Sequence, residues 1–427
     1  MNQKFLTGQA VILAAGESSR CWPLNKGHKS QIKILGKPLI YWTIKGISKR
    51  GIKDIILIIG PNSSLKEELT SISKELDVIL SYVVQEKPLG TGDAIFRAKE
   101  TIKGPFFVFW PFEIIAEEIV GKILETNNSA KFQTILTGRK TSMPWDYGIL
   151  KLKNGKVVEI IEKPLPGKEP SNIKTIGIYF LHPDFFDYYK KLPKRHPHDF
   201  IDALNLYLKA KEAKVIFSEK DSSLKYPWDF LRILKIVFEL KEFKNYISTT
   251  AQIAKNVVIK GAVYISDNVI IGENTIIEGP CFIGKNCKIG HNNVLRGPVN
   301  LENDVVTGAF TEIKNCIVQQ GTHFHSGYFG DSIIGQNCRF GAGFTAANRR
   351  LDRANIKSTV KGKKIDTGLS YFGSAIGDNS CFGIQSGTMP GVLIGSNCVV
   401  GPGALVFENI EDNASFFTEF KGVKKSI

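Results

Sequence analysis

From Ile253 onward an aliphatic residue stands at every sixth position: Ile253, Ile259, Ile265, Ile271, Ile277, Ile283, Ile289, Leu295 and Leu301, then Ile313 after a single break at Thr307. The phase returns at Ile334 and Phe340, at Ile376 and Phe382, and at Ile394, Val400 and Val406. Glycine often follows the aliphatic residue, and the fifth position of each hexad is usually small, as at Val263, Cys281, Cys287, Cys338 and Ala404. A period of six fits neither a helix face nor an alternating strand. It is the repeat of a parallel β-helix, in which each hexad forms one flat side of a triangular coil and points its aliphatic residue into the shaft. One turn takes three hexads, and only stacked turns bury a continuous core. A solenoid is therefore expected over residues 249–410, with a tail at 411–427.

The rest of the chain is long enough for another domain with its own core. A formal charge of +15 calls for anionic partners. The basic residues are dispersed and form no nucleic-acid motif, so phosphorylated small molecules, nucleotides and coenzyme A are the expected partners rather than nucleic acid. No apolar run reaches the roughly 18 residues of a membrane span. Met1 to Gly8 is short and polar for a secretory leader, which makes the cytoplasm the expected location. The seven cysteines show no metal-type spacing, and four of them occupy the small position of a hexad, where a cysteine serves as a buried apolar residue.

At the other end, Ala10-Val11-Ile12-Leu13 reads as a buried parallel strand. It runs into Ala14-Ala15-Gly16-Glu17-Ser18-Ser19-Arg20, where small residues let backbone N–H groups approach a phosphate. Cys21-Trp22-Pro23-Leu24, Lys29 and Leu35-Gly36-Lys37-Pro38-Leu39-Ile40 follow, then an amphipathic stretch from Ile40 to Lys49 and a second strand, Asp54 to Ile59. Such alternation predicts an α/β domain with a parallel sheet over residues 1–223. Residues 224–248, apolar and charged at helical spacing, read as a helical linker.

This stretch resembles the sugar-1-phosphate nucleotidylyltransferase family, whose pattern is L-A-A-G-x-G-x-R-x-x-P-L, a Lys, then G-K-P-[LM]-I. The likeness continues at Gln85, at Gly90-Thr91-Gly92-Asp93-Ala94, Tyr147-Gly148, Glu162-Lys163-Pro164, Gly177-Ile178-Tyr179 and Pro227-Trp228-Asp229. It implies a Rossmann-like fold and attack of a sugar-1-phosphate oxygen on the α-phosphorus of a nucleoside triphosphate, with Mg²⁺ as cofactor. It further implies that Leu13, Ala14, Ala15, Gly16, Gln85, Gly90 and Thr91 hold the nucleotide, that Gly148, Glu162 and Lys163 hold the sugar phosphate, that Arg20 and Lys29 neutralise the phosphates, and that Asp229 binds metal. The match departs at Ser18, which replaces the second glycine of the loop, and in the spacing from Pro23 to Gly36, one residue short. It also departs at Phe112, which falls on the family's first metal-binding Asp; Glu113 would take that place only if the register slips, and alternation along an extended chain would then point it away.

The hexad phase is lost over Gln319–Asp331 and again over Ala347–Phe372. Insertions in a solenoid tend to carry function. The first break, with His325-Ser326-Gly327-Tyr328-Phe329-Gly330-Asp331, resembles the H-x-x-Y-x-G-D motif of bifunctional glucosamine-1-phosphate acetyltransferase/N-acetylglucosamine-1-phosphate uridylyltransferases, archaeal members above all. Leu295-Arg296, Glu312-Ile313-Lys314-Asn315, Gly341-Ala342-Gly343 and Ala347-Asn348 match as well, so the likeness covers nearly the whole chain. It implies a left-handed parallel β-helix that assembles as a homotrimer and transfers acetyl from acetyl-CoA to an amino-sugar-1-phosphate. His325 would be the base, because imidazole titrates near neutral pH, with His323 as its rival. Arg296, Lys314 and Tyr328 would hold the sugar phosphate, Asn348 the sugar, Lys357 the phosphate or coenzyme, and Ala342 acetyl-CoA. Arg339 replaces an Asn of bacterial relatives, which leaves gluco and galacto epimers open. UTP is the favoured nucleotide. Because of Phe112, an acetyltransferase with a degenerate nucleotide-binding or regulatory first domain stands as the alternative.

Overall fold

The computed structural model describes residues 8–61, 63–127, 134–193, 196, 198–241 and 243–424. Residues 1–7, Glu242 of the linker and the last three residues of the tail lie outside that range. Two compact units emerge, and they are not sequential: one joins residues 1–17 with 38–223, the other joins 18–37 with 224–427.

A nine-stranded sheet forms the centre of the first unit. Strands Ile79–Val84, Asp54–Ile59, Gln9–Ala14 and Phe106–Phe109 lie side by side and parallel, as the apolar runs lead one to expect. The sheet is not parallel throughout. Ile173–Leu181 runs antiparallel to both Phe106–Phe109 and Thr134–Lys140, and the hairpin Gly148–Lys153/Lys156–Glu162 closes the far edge. Gln9–Ala14 sits where the strand order reverses, with the second strand in sequence on one side and Phe106–Phe109 on the other. The crevice beyond the carboxyl ends of strands at such a switch point is where open α/β sheets bind ligands. Helix Leu39–Ser48 is not amphipathic as expected: every residue except Lys45 is buried, because the helix packs on both Leu65–Leu76 and Ala116–Asn127.

The second unit is a parallel β-helix. Strand partners up to Leu301 lie 18 residues apart, such as Val263 with Cys281 and Ile271 with Ile289. The hexad residues stack in three inward columns. One runs Ile265, Ile283, Leu301, Val318, Ile334, Ile376, Ile394, and all of these are fully buried. Thr307 keeps its place in a second column because Asn293 Nδ2 donates to its hydroxyl at 2.9 Å. Asn residues at the corners take positive φ, including Asn268, Asn286, Asn379 and Asn397, a conformation Asn tolerates better than most residues. Their side chains form ladders from coil to coil: Asn268 to Asn286, Asn379 to Asn397, and Asn397 to Asn413. Cysteines at small positions are buried, and burial pushes the thiols of Cys281, Cys287, Cys316 and Cys338 up to about 12.

The two phase breaks differ in kind. Over 319–331 nothing is inserted: His323–Phe324 and Gly327–Gly330 pair within the stack, and the coils shorten, with Val306 opposite His323 and Ile317 opposite Ile333. Phenylalanines replace aliphatics there. Phe324, Phe340 and Phe382 stack at 5.1 and 4.6 Å, so wider side chains fill the altered shaft. The second break is a true insertion, because Ile333 pairs with Ala375. It forms an antiparallel hairpin, Lys357–Val360 with Lys363–Asp366.

One outward face of the solenoid is covered. Ile317, Ile333 and Leu393 point outward yet are fully buried, and helix Asp229–Phe238 packs on strands Val294–Leu301 and Thr311–Val318. Segment 18–37 is tied to the same unit through its backbone. Leu35 N–H donates to Asn300 at 2.7 Å, Gly36 N–H to Glu302 at 3.1 Å, and Lys33 N–H to Gln319 at 3.2 Å. Within this segment His28 Nδ1 accepts from Ser30 N–H at 3.2 Å, and burial pushes the imidazole down to about 3. A histidine depressed in the folded state contributes stability above its unfolded pKa and loses it as pH falls. Wild type is therefore expected to lose up to roughly 1.4 kcal/mol per pH unit below about 6.5, and His28→Gln to flatten that slope. Denaturation midpoints between pH 7 and 5 measure this; identical slopes for the two proteins contradict it.

No helix among the described residues is long and apolar enough to cross a membrane.

Candidate active site

The solenoid gathers polar side chains at the rungs where its coils shorten. Asp331, 4% exposed, is the hub. Its carboxylate accepts from Lys314 Nζ at 3.1 Å, Asn315 Nδ2 at 2.7 Å and Asn348 Nδ2 at 2.6 Å. Asn348 also donates to the Tyr328 hydroxyl at 3.0 Å. Burial and the Asp331 charge hold the Tyr328 phenol above its ordinary range, so it remains a hydrogen-bond donor. Arg296 lies one coil below Lys314 in the same outward column and pairs with Glu312. Two buried atoms here have no partner among the described residues: Arg296 Nε, a donor, and Asn315 Oδ1, an acceptor. A buried polar atom left alone costs about 1–3 kcal/mol. Beside a lysine, the lone donor suits an anionic group, and the lone acceptor suits a hydroxyl or amine of the same ligand.

Four of the expected residues are thus brought together: Arg296, Lys314, Tyr328 and Asn348. Lys357 is not among them; it stands on the inserted hairpin. Sequence reasoning assigned no role to Asp331, although it closes the H-x-x-Y-x-G-D motif. It also missed Tyr371, whose ring lies 4.5 Å from Lys314 Nζ and 4.6 Å from the Arg349 guanidinium. Tyr371 lies in the insertion, where no periodicity could single it out.

The two histidines face different ways. His323 belongs to the ladder Val306–His323–Arg339, a separate sheet from Tyr328. Burial, with Arg339 and Lys288 nearby, pushes its imidazole down. His325 sits at the corner between His323–Phe324 and Gly327–Gly330. Its ring is exposed, and among the described residues no side-chain hydrogen bond or ion pair engages it. Gly308 passes beneath; a Cβ there would lie 2.1 Å from the His325 carbonyl oxygen, so glycine lets the coil below approach this corner. Ala342 is half-buried, and its carbonyl accepts from Gln385 N–H at 2.7 Å.

Asp331→Ala would leave Lys314, Asn315 and Asn348 without their shared acceptor. The expected cost is about 2–4 kcal/mol, because charged and amide groups stay partly buried and unpaired. Urea denaturation measures it, and an unchanged midpoint would contradict the hub.

In the first unit, Leu13 and Ala14 end their strand buried, and Ala15 and Gly16 lead out of it into the open. Gln85, 5% exposed, donates to the Gly90 carbonyl at 3.0 Å and to Asp93 at 2.8 Å, fixing the turn before Thr91–Arg97. Gly148 faces Glu162 across its hairpin, and Lys163, at φ 46, donates its N–H to the Tyr147 carbonyl at 3.0 Å.

Trp110-Pro111-Phe112-Glu113 is a turn rather than an extended segment, so the alternation argument against Glu113 does not apply. Phe112 is 4% exposed and turned into the protein. Glu113, 2% exposed, accepts from the Ser222 hydroxyl. Its Oε1 fills the space beside Gly177, where a Cβ would come within 2.5 Å.

Arg20, Lys29 and Asp229 fall in the second unit, and all three act electrostatically on the buried Cys21 thiol, which is pushed up to about 11 mainly by burial. Lys29 Nζ donates to the Leu224 carbonyl at 2.6 Å. Asp229 Oδ2 accepts from the N–H groups of Lys225 and Tyr226 at 2.7 and 2.8 Å, and Oδ1 from Arg232 at 3.1 Å. A carboxylate has about four lone-pair sites, so most of this one is taken. No group of three His, Cys, Asp or Glu side chains among the described residues has metal-holding geometry.

Residues 9–229 match the nucleotidyl transferase family, and residues 375–407 match a hexapeptide repeat of succinyl-transferase. Among curated proteins, the chain is 37% identical over 413 residues to the bifunctional protein GlmU of Methanococcus maripaludis (strain C7), covering 95% of this chain and 96% of that one. It is 34% identical to the bifunctional sugar-1-phosphate nucleotidylyltransferase/acetyltransferase of Sulfurisphaera tokodaii, covering 94% and 98%. It is 33% identical to the bifunctional protein GlmU of Methanocaldococcus jannaschii, covering 95% and 96%.

Proposed function

Because the chain belongs to the family of bifunctional sugar-1-phosphate nucleotidylyltransferase/acetyltransferases, we propose that it performs both transfers on one amino sugar in the cytoplasm. One is acetylation of glucosamine-1-phosphate or galactosamine-1-phosphate by acetyl-CoA. The other is nucleotidyl transfer, from UTP by preference, with release of pyrophosphate. The observation that carries the acetyl-transfer reading is the pair of orphaned atoms, Arg296 Nε and Asn315 Oδ1, beside Lys314.

In the solenoid, Arg296 and Lys314 neutralise the sugar phosphate, Tyr328 donates to it, and Asn348 orients the sugar ring. His325 takes the proton from the substrate ammonium. The freed amine attacks the thioester carbonyl, the N–C bond forms as the C–S bond breaks, the coenzyme leaves as a thiolate that takes up the proton held by His325, and the second proton shed by the nitrogen passes to solvent. Ala342 lies along the acetyl-CoA path.

In the first half, the backbone from Leu13 to Gly16, with Gln85, Gly90 and Thr91, holds the nucleoside triphosphate, while Gly148, Glu162 and Lys163 hold the sugar phosphate. Arg20 and Lys29 supply the fixed charge that two meeting anions require. The sugar-phosphate oxygen bonds to the α-phosphorus as the bond to pyrophosphate breaks. A second reading, acetyl transfer alone with a nucleotide-binding first half, is favoured by the buried Phe112 and the occupied Asp229.

The chain with acetyl-CoA and each amino-sugar-1-phosphate is expected to release thiol in proportion to N-acetyl product. No release with either sugar contradicts the proposal. We further propose a homotrimer, supported by exposed apolar residues along the uncovered faces of the solenoid, such as Phe310 at 71%, Ile384 at 57% and Leu405 at 52%. Light scattering of the purified chain is expected to give three times its mass; a monomer at micromolar concentration removes any site shared between subunits.

A further inference from the structure

A cavity of about 780 Å³ lies in the second unit, apart from the Asp331 cluster. Its walls are the inserted hairpin, the coil turns at 390–392 and 407–411, and Ser19, Trp22 and Asn25 of segment 18–37. Arg350, Lys357, Lys361 and Lys364 line it against two carboxylates, Glu408 and Glu411. Among the described residues, Lys357 and Lys364 form no ion pair. Arg350 is already paired with Asp352, which leaves three lysines facing two carboxylates, and an anionic ligand would balance the excess charge.

The hairpin is fixed in place. Ser358 donates to the Gly391 carbonyl at 2.7 Å, Asn409 to the Thr359 carbonyl at 2.8 Å, and Lys361 to the Ser19 hydroxyl at 2.8 Å. Trp22 is held at one wall by its indole N–H on Asp412 at 3.1 Å, which leaves its ring faces for stacking. Phe407, 68% exposed, lines the cavity too. Small-molecule sites typically enclose roughly 300–1,000 Å³, so one nucleotide fits this space.

We propose that this cavity binds a nucleoside polyphosphate, with Lys361 and Lys364 on the phosphates and Trp22 or Phe407 against the base. Ser19 lines the same cavity and accepts from Lys361.

The test is calorimetric titration of the full chain and of Lys361→Glu/Lys364→Glu with UTP, a UDP-sugar and 3′-phospho-ADP in separate arms. The arms distinguish a nucleotide substrate, a nucleotide-sugar product and the nucleotide portion of coenzyme A. The variant is expected to bind one equivalent fewer per chain than wild type in at least one arm, with its melting transition in place. Lys361→Ala/Lys364→Ala serves if charge reversal disturbs folding, and an affinity loss of tenfold or more in that equivalent supports the site equally. Equal stoichiometry and affinity in every arm overturns the proposal. The readout is a difference in binding, so it stands whether or not either transfer activity is found.

Discussion

His325→Ala is expected to lower acetyl transfer by about 10²–10⁴-fold, the range that a positioned general base contributes, while leaving the melting transition unmoved. The second half of that expectation comes from packing. The His325 ring is exposed and engages no described side chain, so its loss opens no cavity and orphans no partner. What holds the corner is backbone: His325 N–H donates to the Phe340 carbonyl at 2.9 Å, and alanine keeps that bond. His323→Ala is expected to change the rate less than twofold, because His323 stands in the ladder between Val306 and Arg339, away from Lys314, Tyr328 and Asn348. Its lowered imidazole pKa reflects burial and neighbouring cations, not a substrate. If His323→Ala is the damaging change and His325→Ala is not, the solenoid site is oriented on the wrong face.

Phe112→Asp, the change that would restore the family's metal-binding carboxylate, is expected to destabilise the first unit and to give no gain in nucleotidyl transfer. Phe112 is 4% exposed. Truncating a buried phenylalanine costs roughly 3–5 kcal/mol, and the new carboxylate adds the cost of burying a charge. At about 2–4 °C per kcal/mol for a domain of this size, the melting point should fall by about 10 °C or more. A variant that keeps its stability and turns over faster at low magnesium would show that this side chain reaches the site after all. Either outcome bears on Glu113, which occupies the space beside Gly177 and holds the Ser222 hydroxyl.

How far these features could be read from sequence depends on whether local periodicity sets them. The hexads gave the solenoid coil by coil, because each aliphatic residue repeats one environment, and even Thr307 kept the phase. The strand Phe106–Phe109 and the strand Asp54–Ile59 were legible as apolar runs bounded by turns. The helix after Pro38 was not legible as buried, since Lys45 and Lys49 suggested a solvent face that neighbouring helices in fact cover on all but one side. The break at 319–331 looked like an insertion because lost phase is the same whether residues are added or removed; only the partner register, with Ile317 opposite Ile333, tells them apart. The association of residues 18–37 with the solenoid had no sequence signal at all. It depends on Asn300, Glu302 and Gln319 meeting backbone amides 265 to 286 positions away, and outward polar residues of a coil carry no periodic mark. The family motifs pointed to Lys314, Tyr328 and Asn348, but only Asp331 explains why they converge: it accepts from Lys314 and Asn348, and Asn348 in turn donates to Tyr328.

The central claim is that one chain both acetylates an amino-sugar-1-phosphate and couples it to a nucleotide. The direct measurement supplies the purified chain with amino-sugar-1-phosphate, acetyl-CoA, UTP and magnesium in one vessel and follows free thiol, pyrophosphate and nucleotide sugar together. The account predicts that all three appear in equal amounts, with the sugar carrying both the acetyl and the nucleotidyl group. Accumulation of N-acetyl-sugar-1-phosphate without pyrophosphate, for each of the four nucleoside triphosphates and at high magnesium, would contradict it and leave an acetyltransferase alone.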